Sequence, residues 1–260
     1  MQDRHSDRQR YFNEQAYTTQ KYVIPYLEKF GKVDSNSRVL EIGCGEGGNI
    51  LPFLERGCKV VGIDLNCKQI ENAKQYLVEY NEEQLQLICQ NIYDVTPEEF
   101  GVFDIVIMRD VIEHIPNQEV FLGFVKRFMH ENTLFFLGFP PWQMPFGGHQ
   151  QVCKNKWLSK LPYYHLLPRN IYKSILKKGG ESEGKIRSLM EHVDTGISVE
   201  RFNRIIREEN YRVLDRSPYL FNPNYEIKFN LTPRKQLDFI DSIPVFRNFV
   251  TTCYYFIISP

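Results

Sequence analysis

Two hydrophobic periods alternate along the first half of the chain. Tyr22, Val23, Tyr26, Leu27 and Phe30 recur at helical spacing, so residues 11–30 predict an amphipathic helix with Gly31 at its end. Residues 39–42 predict a short strand. A helix through Ile50, Leu51, Phe53 and Leu54 follows, ended by Gly57. Strands are predicted at 59–63, 85–89 and 104–108. Between the first two of these, Ile70, Ala73, Leu77 and Tyr80 mark a helix. Val120-Phe121, Phe124-Val125 and Phe128-Met129 line one face of another helix, and 133–139 predicts a fifth strand. Strands alternating with helices at short spacing make βαβ units and a mostly parallel sheet.

After Phe139 the alternation stops. Pro140-Pro141, Gly147-Gly148 and Gly179-Gly180 lie among helical fragments, which predicts an insertion over 140–197, a lid above the carboxyl edge of the sheet. The order resumes at Ser198, a good N-cap for a helix that buries Phe202, Ile205 and Ile206. Asn210 suits the left-handed residue that closes it. Residues 211–220 and 251–258 predict two last strands. The expected organisation is one α/β domain, residues 1–139 and 198–260, interrupted by a lid or acceptor-binding insertion, 140–197.

Composition changes this picture little. With 42% hydrophobic and 25% charged residues, the chain can bury a sizeable core. The net charge of +0 argues against a nucleic-acid partner. Met1 to Arg10 is charged, with no apolar h-region of a signal peptide, and the apolar run 249–258 is too short to span a bilayer. A cytoplasmic location is expected. Cysteines 44, 58, 67, 89, 153 and 253 show no CxxC or finger spacing, so they are expected as reduced thiols in or near the core. No metal set emerges from them, and no clustered carboxylates suggest a metal-dependent catechol enzyme.

The first candidate chemistry is the turn Gly43-Cys44-Gly45 between a strand and a helix. Glycines there let backbone approach a ligand, and the helix beyond offers unpaired N–H groups. Asp64 ends the second strand, where a carboxylate can accept two hydrogen bonds from a ribose diol. Gly43, Gly45 and Gly48 also satisfy the dinucleotide pattern, so an NAD(P)- or flavin-dependent oxidoreductase is a rival reading. Two acids oppose it. Glu41 puts a charge at the end of a buried strand, where it suits an ammonium, and Glu46 would repel a pyrophosphate.

Val39-Leu40-Glu41-Ile42-Gly43-Cys44-Gly45-Glu46-Gly47 resembles the first motif of class I S-adenosylmethionine-dependent methyltransferases. Val61-Gly62-Ile63-Asp64-Leu65 resembles their second. Asn91-Ile92-Tyr93-Asp94 falls where the family faces the adenine, and Phe103 to Val106 with Val111-Ile112-Glu113-His114-Ile115-Pro116 resembles the fourth. The run from Ser198 to Val213 resembles the late segment. The resemblance implies a Rossmann-like, seven-stranded, mostly parallel sheet with an antiparallel last strand, and S-adenosyl-L-methionine as cofactor. It implies that Glu41, Gly43, Cys44 and Gly45 hold the methionine end. Asp64 would bind the ribose and Leu65 would pack on the adenine. Asn91 and Ile92 would contact the base, and Arg109 would lie beside the cofactor. Asn91 departs from the more usual acid, and Arg109-Asp110 is a charged pair where small or polar residues are common.

Methyl transfer to oxygen or nitrogen can need a base. His149, on the glycine-hinged loop Phe146-Gly147-Gly148-His149-Gln150 after the fifth strand, is the first candidate for a base or acceptor-orienting group. Glu191 and His192, just before the sheet resumes, are the second. A packed, structural His114 near the cofactor is the third. Between 151 and 190 the basic residues are Lys154, Lys156, Lys160, Arg169, Lys173, Lys177, Lys178, Lys185 and Arg187, against two acids, Glu181 and Glu183. Trp157, Tyr163, Tyr164 and Tyr172 are interleaved. That mixture suits a sugar-like or anionic acceptor, or a peripheral membrane contact, as well as a solvated lid face. Phe139-Pro140-Pro141-Trp142 lacks the Asn of the amino-methylating DNA enzymes and follows the wrong strand. The Pro-Pro-Trp and Pro-Phe-Gly-Gly-His run is similar to a group of bacterial glycan-related methyltransferases. The expectation is methyl transfer to a small or glycan-like acceptor, at oxygen, with a non-catalytic, cofactor-binding homologue as the alternative.

Overall fold

Apolar residues on both faces of the parallel strands require cover on both sides, and the chain supplies it with helices. The computed structural model describes residues 7–260, so the first six residues of the charged N-terminus lie outside it. Helix α1 (Arg8–Thr18) runs through a π-helical turn, Thr19–Val23, into α2 (Ile24–Leu27). The irregularity has a local cause, since Pro25 cannot donate to the helical ladder. There follow β1 (Arg38–Ile42), α3 (Leu51–Leu54), β2 (Lys59–Asp64), α4 (Cys67–Tyr76) and β3 (Leu85–Cys89). Next come α5 (Pro97–Phe100), β4 (Phe103–Arg109), α6 (Gln118–Val125) and β5 (Met129–Phe139). Met129 thus opens a strand rather than closing a helix.

Residues 140–197 contain α7 (Arg169–Lys178) and α8 (Glu183–Thr195) among short turns. They bury a small core of their own around Tyr164, Tyr172, Leu176, Ile186 and Leu189. Of the interleaved aromatics, Tyr164 and Tyr172 are buried, whereas Trp157, at 87%, and Tyr163 are exposed. Then α9 (Val199–Glu208) leads to β6 (Arg212–Phe221), β7 (Arg234–Lys235) and β8 (Cys253–Ser259). The Ser198 side chain caps α9 by accepting from Arg201 N, and Asn210 takes the left-handed conformation, both as expected. Among the described residues no helix is long and apolar enough to cross a membrane.

All seven predicted strands form. Their sheet has the order β3-β2-β1-β4-β5-β8-β6-β7, parallel from β3 to β5, with β8 antiparallel to both its neighbours. The eighth strand, β7, corrects the expected count. Its two exposed residues carry no hydrophobic alternation by which to foresee it. Alternation in the central strands divides two cores. Val106, Met108, Tyr254 and Phe256 face α6 and α9, while Ile105, Ile107, Tyr255 and Ile257 face α1 to α3.

The cysteine expectation holds for Cys44, Cys58, Cys153 and Cys253, which are free and buried. It fails for Cys67 and Cys89, which form a disulfide. Register explains the pair: Cys89 lies opposite Asp64 in the β2–β3 ladder, and Cys67 opens the helix that follows Asp64. Spacing rules do not detect such tertiary proximity.

Phe202 of α9 sits between Phe139 and Phe256, with ring centroids at 4.9 and 4.7 Å. Phe202→Ala is expected to cost about 3–5 kcal/mol by leaving a cavity, whereas Ser198→Ala costs about 1 kcal/mol by losing the cap. Urea unfolding, with the slope unchanged in both variants, checks the contrast.

Candidate active site

The carboxyl ends of β1, β2 and β4 deliver their last residues to one cavity of about 530 Å³. Its floor is the turn after β1. Gly43 N and Cys44 N both donate to Ile63 O, at 2.8 and 3.1 Å, so the turn is tied to the end of β2. Gly43 has φ +74°, and a Cβ there would come within 2.6 Å of Val111, so neither conformation nor space admits another residue. Gly45 N donates to Asp64 Oδ2 at 2.8 Å, and Asn66 N donates to Oδ1 at 2.8 Å. The Asp64 carboxylate is therefore fixed by backbone, and each oxygen retains a lone pair for a ligand.

Beneath the floor lies a buried polar chain. Asn49 Nδ2 donates to Glu41 Oε1 at 2.7 Å, Arg109 Nη1 donates to Asn49 Oδ1 at 2.9 Å, and Thr19 Oγ1 donates to the same oxygen at 2.8 Å. Glu41 Oε2 is buried with no hydrogen-bond partner. Burial pushes this carboxyl up to about 8, against the opposing pull of Asn49 and Arg109. Glu46 is buried as well, with Arg8 Nε 3.4 Å from its carboxylate.

The expected cofactor residues divide three ways. Gly43, Gly45, Asp64, Leu65, Asn91, Ile92 and Arg109 line the cavity. Leu65 is 70% exposed, the condition of an apolar side chain awaiting a flat partner. Asn91 spends its side-chain oxygen on Tyr93 N and keeps its amide donors. Glu41 sits below the wall. Cys44 corrects the expectation: its side chain is buried away from the cavity, against Gly62. Strand-to-turn alternation sends it under the sheet while its glycine neighbours face the ligand space. Tyr11 and Gln15 of α1 also line the cavity, although nothing in the sequence pattern near residue 11 indicates it.

At the cavity mouth three histidines meet from three parts of the chain. His114 follows β4, His149 ends the glycine loop with φ 55°, and His192 lies in the last turns of α8. Their ring centroids are 4.6 to 4.9 Å apart. His114 Nδ1 and His192 Nδ1 lie 3.1 Å apart, so one proton is shared between them. Burial and the neighbouring His192 lower His114 to about 4, and burial lowers His192 too. Both rings are neutral near pH 7. Glu191 acts on His192 through its charge. Successive helical residues diverge, and it is exposed on the outer side of α8. Glu113 was missed as a site residue. It is buried beside His114, and neither carboxylate oxygen has a hydrogen-bond partner among the described residues.

The methyltransferase domain family matches residues 12–178, more than half of the chain. Among curated proteins the chain is similar to a sterol 24-C-methyltransferase of Schizosaccharomyces pombe, 27% identical over 147 residues, covering 56% of this chain and 36% of that one. It is also similar to a ubiquinone biosynthesis O-methyltransferase of a Bradyrhizobium species, 37% identical over 89 residues, 34% of each chain. The aligned part thus spans about a third of these relatives' length. The fold is shared with magnesium protoporphyrin IX methyltransferase from Synechocystis with bound S-adenosylhomocysteine. There the identity is 15% and the TM-score 0.53, covering 94% of this chain and 83% of that one. A putative sarcosine dimethylglycine methyltransferase from Galdieria sulphuraria gives 12% identity and a TM-score of 0.59, over 93% and 84%. The family match decides the glycine turn against the dinucleotide reading. The chain belongs to the methyltransferase-domain family, whose class I members use S-adenosylmethionine.

Proposed function

We propose that the protein transfers a methyl group from S-adenosylmethionine to a hydroxyl of a small or glycan-like acceptor. The observation that carries this reading is the cluster of His114, His149 and His192 at the mouth of the cofactor cavity, with His114 in its wall. The likeness to ubiquinone O-methyltransferases supports a small acceptor and an oxygen nucleophile.

The residues fit the cofactor. The cavity volume lies within the range for small-ligand sites. Asp64 receives the ribose hydroxyls, and Leu65 and Ile92 enclose the adenine. Asn91 offers its amide to the base. Glu41, with one oxygen unpartnered, attracts the methionine ammonium from below the floor. Bound S-adenosylmethionine supplies a methyl group on a sulfonium, already activated for in-line displacement. The protein's remaining tasks are positioning, exclusion of water and removal of the acceptor proton. His149 orients the hydroxyl and accepts its proton. Residues 140–197 serve as the lid that completes the acceptor side. Their basic and aromatic residues, Trp157 outermost, suit a polar acceptor or peripheral contact with a membrane.

His149→Ala is expected to lower turnover by about 10²–10⁴-fold while leaving the affinity for S-adenosylhomocysteine unchanged. Screening phenolic and sugar acceptors by S-adenosylhomocysteine release measures the first, and calorimetry the second. Cofactor binding with no turnover on any hydroxyl acceptor would sink the catalytic reading in favour of a non-catalytic homologue.

Asp64→Ala is expected to weaken S-adenosylhomocysteine binding by at least about tenfold, since each hydrogen bond to a charged acceptor contributes about 1.5–3 kcal/mol. Unchanged calorimetric affinity would remove Asp64 from the ribose site.

Glu41 gives a pH dependence. Below about 8 the empty protein holds a proton on this carboxyl. An ammonium beside it favours the carboxylate, so binding expels that proton. Affinity then rises with pH towards about 8, by up to about tenfold per pH unit for one proton, and levels off above it. Binding heats in buffers of different ionisation enthalpy count the protons released, and Glu41→Gln is expected to release none at this site.

A further inference from the structure

We propose that Glu113, His114 and His149 bind a divalent metal ion of the zinc class at the mouth of the cofactor cavity, with His192 as a positioning residue. The ligand atoms of the three all lie within 4.8 Å of one another, so small side-chain rotations bring them onto one ion. Glu113 supplies an independent sign. Its side chain is 94% buried and both its oxygens are without hydrogen-bond partners. A buried carboxylate with no donor is costly. A cation at this point satisfies both oxygens.

The tautomers agree with this assignment. His114 Nε2 faces Glu113, 3.9 Å from Oε1, while His114 Nδ1 is engaged with His192 Nδ1. A ligating imidazole characteristically uses one nitrogen for the metal and the other for an orienting partner. One carboxylate with two imidazoles suits zinc, and also cobalt or manganese, better than the all-oxygen preference of magnesium or calcium. Three protein ligands leave a coordination position open towards the cavity.

The inference deepens the proposed function and rests on it for the ion's role. The acceptor hydroxyl binds at the open position, where the ion lowers its pKa and its proton leaves to a neutral imidazole or to water. The oxygen lone pair then forms the new C–O bond as the S–C bond breaks, and that bonding pair stays on sulfur. His114 and His149 thus act on the hydroxyl through the ion.

The test is cobalt(II) titration of the full chain, stripped with a chelator and dialysed, read by visible ligand-field absorption. One equivalent is expected per chain, displaced by zinc. Glu113→Gln and His149→Ala are expected to abolish stoichiometric uptake, and His192→Ala to weaken it by about 10–100-fold. S-adenosylhomocysteine binding shows that each variant is folded; His149 lies on a loop, so its variant serves if Glu113→Gln does not fold. No uptake by the stripped wild type, or uptake untouched in folded His149→Ala, overturns the site. Stoichiometric uptake without methyl transfer overturns the proposed function and leaves the site standing. Transfer indifferent to chelation overturns the ion's role and leaves the proposed function standing.

Discussion

The turn that carries β1 across the end of β2 is the constraint from which the rest of the site follows. Two successive N–H groups, of Gly43 and Cys44, converge on the single carbonyl of Ile63, and the next glycine donates to the carboxylate of Asp64. This geometry needs left-handed backbone at Gly43 and Gly45 and a parallel β1–β2 register with Ile42 opposite Ile63. Once it is met, the ends of β1 and β2 present one continuous polar edge, with the Asp64 oxygens held by backbone rather than by mobile side chains. An ordered acceptor of this kind loses little entropy on binding, which is why a rigid strand end is a better place for it than a loop.

That edge sits above a costly element. Glu41 and Arg109 are both almost fully buried in the middle of the sheet, and Asn49 joins them by accepting from one and donating to the other. The pair is not a direct salt bridge, so its Coulomb energy does not fully offset the cost of desolvation. The raised Glu41 carboxyl is the sign of that imbalance. An ammonium group above the floor would relieve it. The same relation holds at the mouth, where Glu113 is buried with no donor at all.

What could be foreseen from sequence, and what could not, divides by range of interaction. The strands, the Ser198 cap, the left-handed Asn210 and the glycine turn depend on residues within a few positions of one another, and each was legible. His149 and His192 were legible singly, as loop and late-segment histidines, but their meeting with His114 was not. They lie 35 and 78 residues from it in the chain, and only the tertiary fold brings them together. Glu113 stood in a recognisable motif, yet nothing local told that its carboxylate would be buried without a donor. Cys67 and Cys89 failed for the same reason, being adjacent only through strand register. Glu191, a candidate together with His192, is exposed on α8, a placement that depends on how the helix is docked.

The meeting of the histidines has its own structural cause. Thr195, at the end of α8, donates from its hydroxyl to Glu113 O, and Gln118 Nε2 donates to both Ile112 O and Thr195 O. These bonds dock the last turn of α8 on the turn that follows β4, one helical turn from His192. Residues 140–197 have a separate small core, so they can pack as a unit; these bonds, with that of Tyr163 Oη to Phe249 O, tie them to the rest of the chain. Glu113 therefore has two separable parts. Its backbone carbonyl helps hold residues 140–197 in place, and its side chain faces the histidines. A substitution that preserves the backbone, such as Glu113→Gln, leaves the docking bonds intact while it removes the charge. Loss of function in that variant then reports on the carboxylate and not on a displaced α8.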